Sequence, residues 1–336
     1  MPKITKAVII AGGKGTRLAS VIGGNTPKAL VGIGGVPLLE HQLRFLERNG
    51  VDEVWILLGH LGDKIQSFLA QKEWEMRLHS IQEEKPRGTG GALRALEKEI
   101  QEDFLILSGD VMLEICLQRF IDWHFEKAGI ASLVVHPSDH PFDSDLVEVD
   151  RENRITSLLK RPHKEGAWLH NLGIASFYIL SPKIFPYIPK GEEPQDFEKD
   201  VLPVLLESGE VVYAYNTPEY IKDMGTPERL EQVRQDYESG KIQKMSLCNE
   251  RRAIFLDRDG VLIEQVDQLS RVEDVRLYDF AAEAIAKVNK TDFMAILVSN
   301  QPMIAKGFLT EEEAEQIQKR IDTELGSKGA KLDAVY

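Results

Sequence analysis

Short, almost wholly apolar runs alternate along the chain with longer stretches whose apolar residues recur every three or four positions. Ala7–Ala11, Glu53–Leu58, Phe104–Ser108 and Ala131–His136 are of the first kind and predict strands. The first and third carry hardly a polar residue, as strands of a parallel sheet covered on both faces do. Leu38–Asn49, Lys64–Ala70, Gly91–Lys98 and Leu117–Lys127 have helical spacing. Alternation of this kind calls for right-handed crossovers and an open three-layer sheet, so the fold class is α/β and Rossmann-like. Ile174–Leu180 and Val211–Tyr215 read as later strands, with Asp196–Glu207 helical between them. Thr226 is placed to cap a further helix through Tyr237, with Pro227 and Glu228 in its first turn.

The polar run Glu238–Arg251 then interrupts the pattern, which restarts beyond it. A strand at Ala253–Leu256, a helix near Phe280–Val288, a strand at Met294–Val298, a helix at Glu311–Leu325 and an incoming strand at Leu332–Tyr336 form a second, smaller α/β set. The expected division is a first domain over 1–240, a linker over 241–250 and a second domain over 251–336. A chain of 336 residues suits two cores.

Composition narrows the function. Hydrophobic residues make up 43% and charged residues 28%, an ordinary globular balance. The formal net charge of −13 disfavours nucleic acid or an anionic membrane as partner. A phosphorylated substrate must therefore be held by positive charge concentrated in a site. The two cysteines, Cys116 and Cys248, lie far apart in sequence, which predicts a reducing, cytoplasmic setting without structural disulfides. No run is long enough for a membrane span or a signal-peptide core.

The candidate chemistry begins with AGGKGTRL, Ala11 to Leu18, directly after the first strand. Gly12, Gly13 and Gly15 let backbone amides approach a polyanion, and Lys14 and Arg17 add charge. A P-loop would need Gly-Lys-Ser/Thr beginning five residues after Gly12, where Arg17 stands, and a dinucleotide fingerprint would need glycine or alanine in place of Leu18. What remains is a phosphate loop followed by Pro27-Lys28. Together with PRGTGGAL (Pro86–Leu93), Gly109-Asp110, Lys160, Asn171-Leu172-Gly173 and Asp223 through Pro227, it resembles the sugar-nucleotide pyrophosphorylase (sugar-1-phosphate nucleotidyltransferase) family, the heptose or mannose 1-phosphate guanylyltransferases among it.

The resemblance implies a nucleotide cradled by Ala11, Gly12, Gly13, Gly15, Thr16, Gly88 and Gly109. It implies Lys160 and Asn171 on the sugar phosphate and sugar, and Mg²⁺ on Asp110 and Asp223. In-line attack of a sugar 1-phosphate on the α-phosphorus brings two anions together, and Arg17 and Lys28 would offset their repulsion. GTP is the favoured triphosphate by family analogy. Mannose or glucose 1-phosphate remains an alternative acceptor, a binding module without turnover an alternative class, and a homo-oligomer is compatible with either.

In the second set, FLDRDGVL (Phe255–Leu262) puts Asp257 and Asp259 two residues apart at a strand end. That spacing suits a nucleophile, an acid/base and a shared Mg²⁺, with Ser299 and Asn300 holding phosphoryl oxygens. These residues, with the KGF-T helix entry, resemble the haloacid-dehalogenase phosphatases, nearest the histidinol-phosphate and D-glycero-D-manno-heptose 1,7-bisphosphate branch. Pro302-Met303 departs from that branch's Ser-Gly, and its later lysine and acidic pair are expected beyond Tyr336. The second domain is thus expected to be partial or degenerate and to show little phosphatase activity. The fusion itself points to D-glycero-D-manno-heptose 1-phosphate as acceptor.

Overall fold

The computed structural model describes residues 2–191 and 193–336. Its strands begin with β1 (Lys6–Ala11), the two-residue pair β2 (Gly32–Ile33) and β3 (Val36–Pro37), β4 (Glu53–Leu58) and β5 (Arg77–Gln82). There follow β6 (Phe104–Ser108), β7 (Val111–Glu114), β8 (Ala131–Pro137), β9 (Leu146–Val149), β10 (Ile155–Leu159) and β11 (Leu172–Leu180). β12 (Val212–Asn216), β13 (Tyr220–Asp223), β14 (Ala253–Leu256), β15 (Met294–Leu297) and β16 (Ala334–Val335) complete the set.

Nine strands make one mixed sheet in the order β10-β9-β11-β6-β1-β4-β5, with β8 also on β11 and β12 on β8. β6, β1, β4 and β5 are parallel, and β11 runs antiparallel to β6 and β8. Alternate side chains feed two cores. Ile9, Leu58 and Leu107 join Phe45 and Phe120 on one face, while Val8, Leu57 and Ile106 join Phe104 and Leu202 on the other. The three-layer expectation holds for this domain, and its predicted strands are present.

β5, β7, β9, β10 and β13 escaped the pattern. β5 is an outer strand of sequence RLHSIQ with mostly exposed side chains, so little apolar signal marks it. The helix expected from Gly91 starts at Gly88 and tightens to a 3-10 turn at Arg94–Leu96, because the Gln195 carbonyl accepts the Gly90 and Gly91 N–H groups at 2.8 and 3.1 Å. Thr226 caps helix Pro227–Glu238 as expected, its hydroxyl accepting from the Arg229 N–H.

β14, β15 and β16 form a separate parallel sheet. Helices Ala281–Asn289 and Glu311–Gly326 cover it around a core of its own, including Leu262, Ile285, Leu297 and Ile321. The expected linker is not loose: Ile242 packs into a first-domain cluster with Leu230 and Val233. Cys116 and Cys248 are bonded to each other, which corrects the expectation of unpaired thiols. Burial of Glu219 explains the meeting of these distant segments, since its carboxylate accepts the backbone N–H of Cys116 at 2.6 Å and of Leu247 at 2.7 Å. Among the described residues, no helix is long and apolar enough to cross a membrane.

Candidate active site

The C-terminal ends of β1 and β6 lie side by side, the place where open α/β sheets take ligands. Gly109 allows the approach: its N–H donates to the Ile10 carbonyl at 2.8 Å, and a Cβ there would stand 2.9 Å from that oxygen. Beyond Ala11 the loop is open. Gly13 has free space around it, and Gly13, Lys14, Thr16 and Arg17 are exposed. Gly12 lies against Gly59, and Gly15 sits at φ +61° with the Lys28 side chain 3.0 Å from where its Cβ would be. Thus Gly15 both turns the chain and makes room for Lys28.

Lys28 Nζ donates to Asp110 Oδ2 at 2.5 Å, and Ser108 Oγ to Asp110 Oδ1 at 2.7 Å. Asp223 is brought beside Asp110 by an antiparallel ladder in which Asp223 faces Val111, and the Met224 N–H donates to the Asp110 carbonyl at 2.8 Å. Burial works to raise the Asp223 carboxyl. Arg229, bonded to both its oxygens at 3.0 and 2.8 Å, and the Gly225 N–H outweigh that and hold it below the usual range. Arg17 lies close by, its guanidinium 3.1 Å from the position a Gly225 Cβ would take.

Arg17, Asp110, Asp223 and Arg229 line one cavity of about 270 Å³, whose far wall is Gly173–Ser176 of β11. Arg161, Asp145 and Glu198 line it too, and also line an adjoining cavity of about 200 Å³ that reaches Thr89 and Leu93. Burial pushes Glu198 up to about 7, although Tyr178 and Ser176 donate to its Oε1. His136, also on the wall, is lowered to about 4 by burial and by Lys331 of the second domain, so its imidazole is neutral at neutral pH.

Two sequence candidates are not brought here. Lys160 directs its Nζ to the Lys199 carbonyl and is not among the lining residues, whereas Arg161 is. Both residues follow the end of β10 at Leu159, where the chain bends, and the course of that loop sets which cation faces the cavity. Asn171 is buried against the second domain, donating to the Asp322 carbonyl, and lines a different cavity between the domains. Gly88, at φ +74°, packs on the Gln195 backbone, where a Cβ would meet the carbonyl oxygen at 2.4 Å.

Arg161, Arg229, Glu198 and Glu83 were missed. Glu83 stands just before PRGTGGAL and beside the phosphate loop, a position that could have marked it. Burial raises its carboxyl, partly offset by the Arg87 N–H and charge, and its Oε1 is buried with no partner among the described residues.

In the second domain, Asp257 and Asp259 follow β14 and Ser299 follows β15, its parallel neighbour. Asp259 is not free there. The buried Arg258 guanidinium lies 3.0 Å from its Oδ2, and Gln301 Nε2 donates to the same oxygen at 3.1 Å and to Ser299 Oγ at 2.6 Å. Asp257 is exposed and accepts the Arg258 N–H, and Asn300 is exposed.

Residues 6–240 match the family model described as nucleotidyl transferase. A mannose-1-phosphate guanyltransferase of Debaryomyces hansenii is 28% identical over 275 residues, spanning 77% of this chain and 71% of the relative. The crystal structure of HddC from Yersinia pseudotuberculosis complexed with GMP-PN superposes with a TM-score of 0.58 at 28% identity, covering 70% of this chain and all of that one. A UDP-glucose pyrophosphorylase complexed with UDP-glucose, at 18% identity and a TM-score of 0.59, shares the fold over 71% of this chain.

Proposed function

The chain belongs to the nucleotidyl transferase family, within it to the sugar-phosphate nucleotidyltransferases, and from that premise we propose that it joins GTP to D-glycero-D-manno-heptose 1-phosphate and releases pyrophosphate. The observation that carries this reading is the convergence of Arg17, Asp110, Asp223 and Arg229 on one cavity at the open end of the parallel strands. The amides of Gly12, Gly13 and Gly15 would cradle the triphosphate, and Arg17 and Lys28 would offset the charge of two approaching phosphates. Arg161 would take the sugar phosphate, and Glu198 and Asp145 would accept sugar hydroxyl protons. No covalent intermediate is required, because positioning and electrostatics suffice for an in-line displacement.

The donor set fits Mg²⁺. Two carboxylates beside an anion-binding loop match an ion that takes one or two protein ligands and fills its shell with phosphate and water. Asp110 and Asp223 would hold it, and bound there it would neutralise charge on the phosphates. The preference for guanine is supported by Glu83. A carboxylate can accept both N1–H and the 2-amino group of guanine, whereas the other bases offer it one donor beside a repelling acceptor.

The heptose acceptor is supported by the second domain's DRDGVL and Ser299-Asn300-Gln301 segments, which suit a sugar-bisphosphate phosphatase acting on the preceding intermediate. Phosphatase turnover by this chain itself is expected to be slight, since Pro302-Met303 stands where the resembled branch has Ser-Gly. Mannose 1-phosphate is the second acceptor to try, favoured by the guanyltransferase relative. A pyrophosphate-release screen crossing four nucleoside triphosphates with heptose, mannose and glucose 1-phosphates, with and without Mg²⁺, tests the reading. Silence in every pairing would sink it.

A further inference from the structure

The second domain touches the transferase at one wall of its cavity. Helix Glu311–Gly326 is rigidly begun by a capping box between Thr310 and Glu313, and its far end lies on the loop that leads into β11. Thr323, itself buried, accepts the Leu169 N–H on its Oγ at 2.8 Å and donates onward to the Lys319 carbonyl at 2.7 Å. One residue on, His170 Nδ1 is 3.1 Å from Asp322 Oδ2, and Asn171 Nδ2 donates to the Asp322 carbonyl. Lys319 pairs with Glu148 of β9 at 2.5 Å, and Arg320 lies over the Trp168 ring at 5.1 Å. Gly326 permits the closest approach, for a Cβ there would stand 2.4 Å from Asn171 Nδ2 and 2.8 Å from Pro141 Cγ.

Both segments gripped by this helix continue into the active-site wall. Two residues beyond Asn171, Gly173–Ser176 line the cavity. Two residues beyond Pro141, Asp143 accepts from Arg229 at 2.8 Å, and Arg229 holds Asp223. Thr323 bonds the backbone of Leu169, its N–H at 2.8 Å and its carbonyl at 3.2 Å, and so sets where the chain runs, while His170 and Asn171 are held through their side chains.

We propose that helix Glu311–Gly326 is a clamp that positions the sugar-phosphate side of the transferase site, with Thr323 as its positioning residue. The inference rests on the transferase reading above and adds that the second domain serves the first by geometry. Among the described residues, no hydrogen bond or ion pair runs from this helix to the nucleotide loop, residues 11–18. A loosened clamp therefore weakens the acceptor without weakening the nucleotide.

The test is Thr323→Val, which keeps the shape and removes the hydrogen bonds, assayed as pyrophosphate release in the full chain. GTP is paired with D-glycero-D-manno-heptose 1-phosphate and, in parallel, with mannose 1-phosphate. The expected result is a rise of roughly five- to tenfold in KM for the sugar phosphate, the scale of a lost buried hydrogen bond, with KM for GTP and kcat within about twofold. Thr323→Ser should restore the wild-type KM, and hydrogen exchange at residues 169–176 should quicken in Thr323→Val while residues 6–18 stay as they were. If Thr323→Val does not fold, Asp322→Asn reads the same contact through His170 and should move the same KM in the same direction. Unchanged kinetics, or equal rises in both KM values, would overturn the clamp and leave the transferase standing. No pyrophosphate from the wild-type chain with any sugar phosphate would overturn both.

Discussion

Asp223 reaches Asp110 through the backbone: it faces Val111 in the β7–β13 ladder, and the next residue's N–H donates to the Asp110 carbonyl at 2.8 Å. Each carboxylate has its own cation, Lys28 on Asp110 and Arg229 on Asp223. Neither depends on the other for its place, so each can be removed singly without collapsing the site. Asp110→Asn and Asp223→Asn are each expected to lower kcat on the order of 10²-fold and to raise the Mg²⁺ concentration needed for half-activity. A Mg²⁺ titration of pyrophosphate release checks this. Variants that titrate like the wild type would remove the carboxylates from the metal's shell.

Arg161 and Lys160 are adjacent cations with opposite destinations. Arg161→Ala should raise KM for the sugar phosphate by about tenfold or more, the loss of a charge-assisted hydrogen bond, while Lys160→Ala should change it by less than about twofold. Steady-state kinetics with varied sugar phosphate decides the point, and the reverse ranking would return the role to Lys160.

Glu83 is the residue proposed to set the base preference. Glu83→Gln replaces one acceptor oxygen by a donor, which then faces a donor of guanine. The GTP-over-UTP ratio of kcat/KM is expected to fall by about tenfold or more. Competition between the two triphosphates in one reaction measures it, and an unchanged ratio would place guanine recognition elsewhere.

Glu198 titrates near neutrality because burial opposes its charge, at about 7 against an ordinary 4.5. The protonated form is therefore favoured by folding. Its stabilisation is complete below about pH 4.5 and is lost as pH rises through about 7. Glu198→Gln should abolish this component, so the wild type loses a few degrees of Tm relative to the variant between those limits. Thermal unfolding of both proteins across that range is the measurement. Parallel curves would mean that the carboxyl titrates at its ordinary value.

Much of the first domain was legible because its signals are local. β1, β4 and β6 are buried on both faces and therefore nearly uniform in sequence, and Thr226 announced its helix through capping chemistry alone. The glycine-rich loop was legible for the same reason, since its glycines and cations are contiguous in sequence. β5 was silent because it is an outer strand with mostly exposed side chains, and β7 and β13, at four residues each, are too short to show a period.

What could be read from the sequence is the alternation of strands and helices, the glycine-rich loop after β1 and the restart of the pattern beyond residue 251. Each of these is written in consecutive residues. What needed the folded chain is that Arg161 and not Lys160 lines the cavity, that Asn171 is bonded to the second domain, that Cys116 meets Cys248, and that Arg229 and Glu198 join the same cavity wall. Those facts depend on which way a side chain leaves the backbone and which distant segment packs beside it. Both are set by long-range packing of buried surface, and no local run of residues records it.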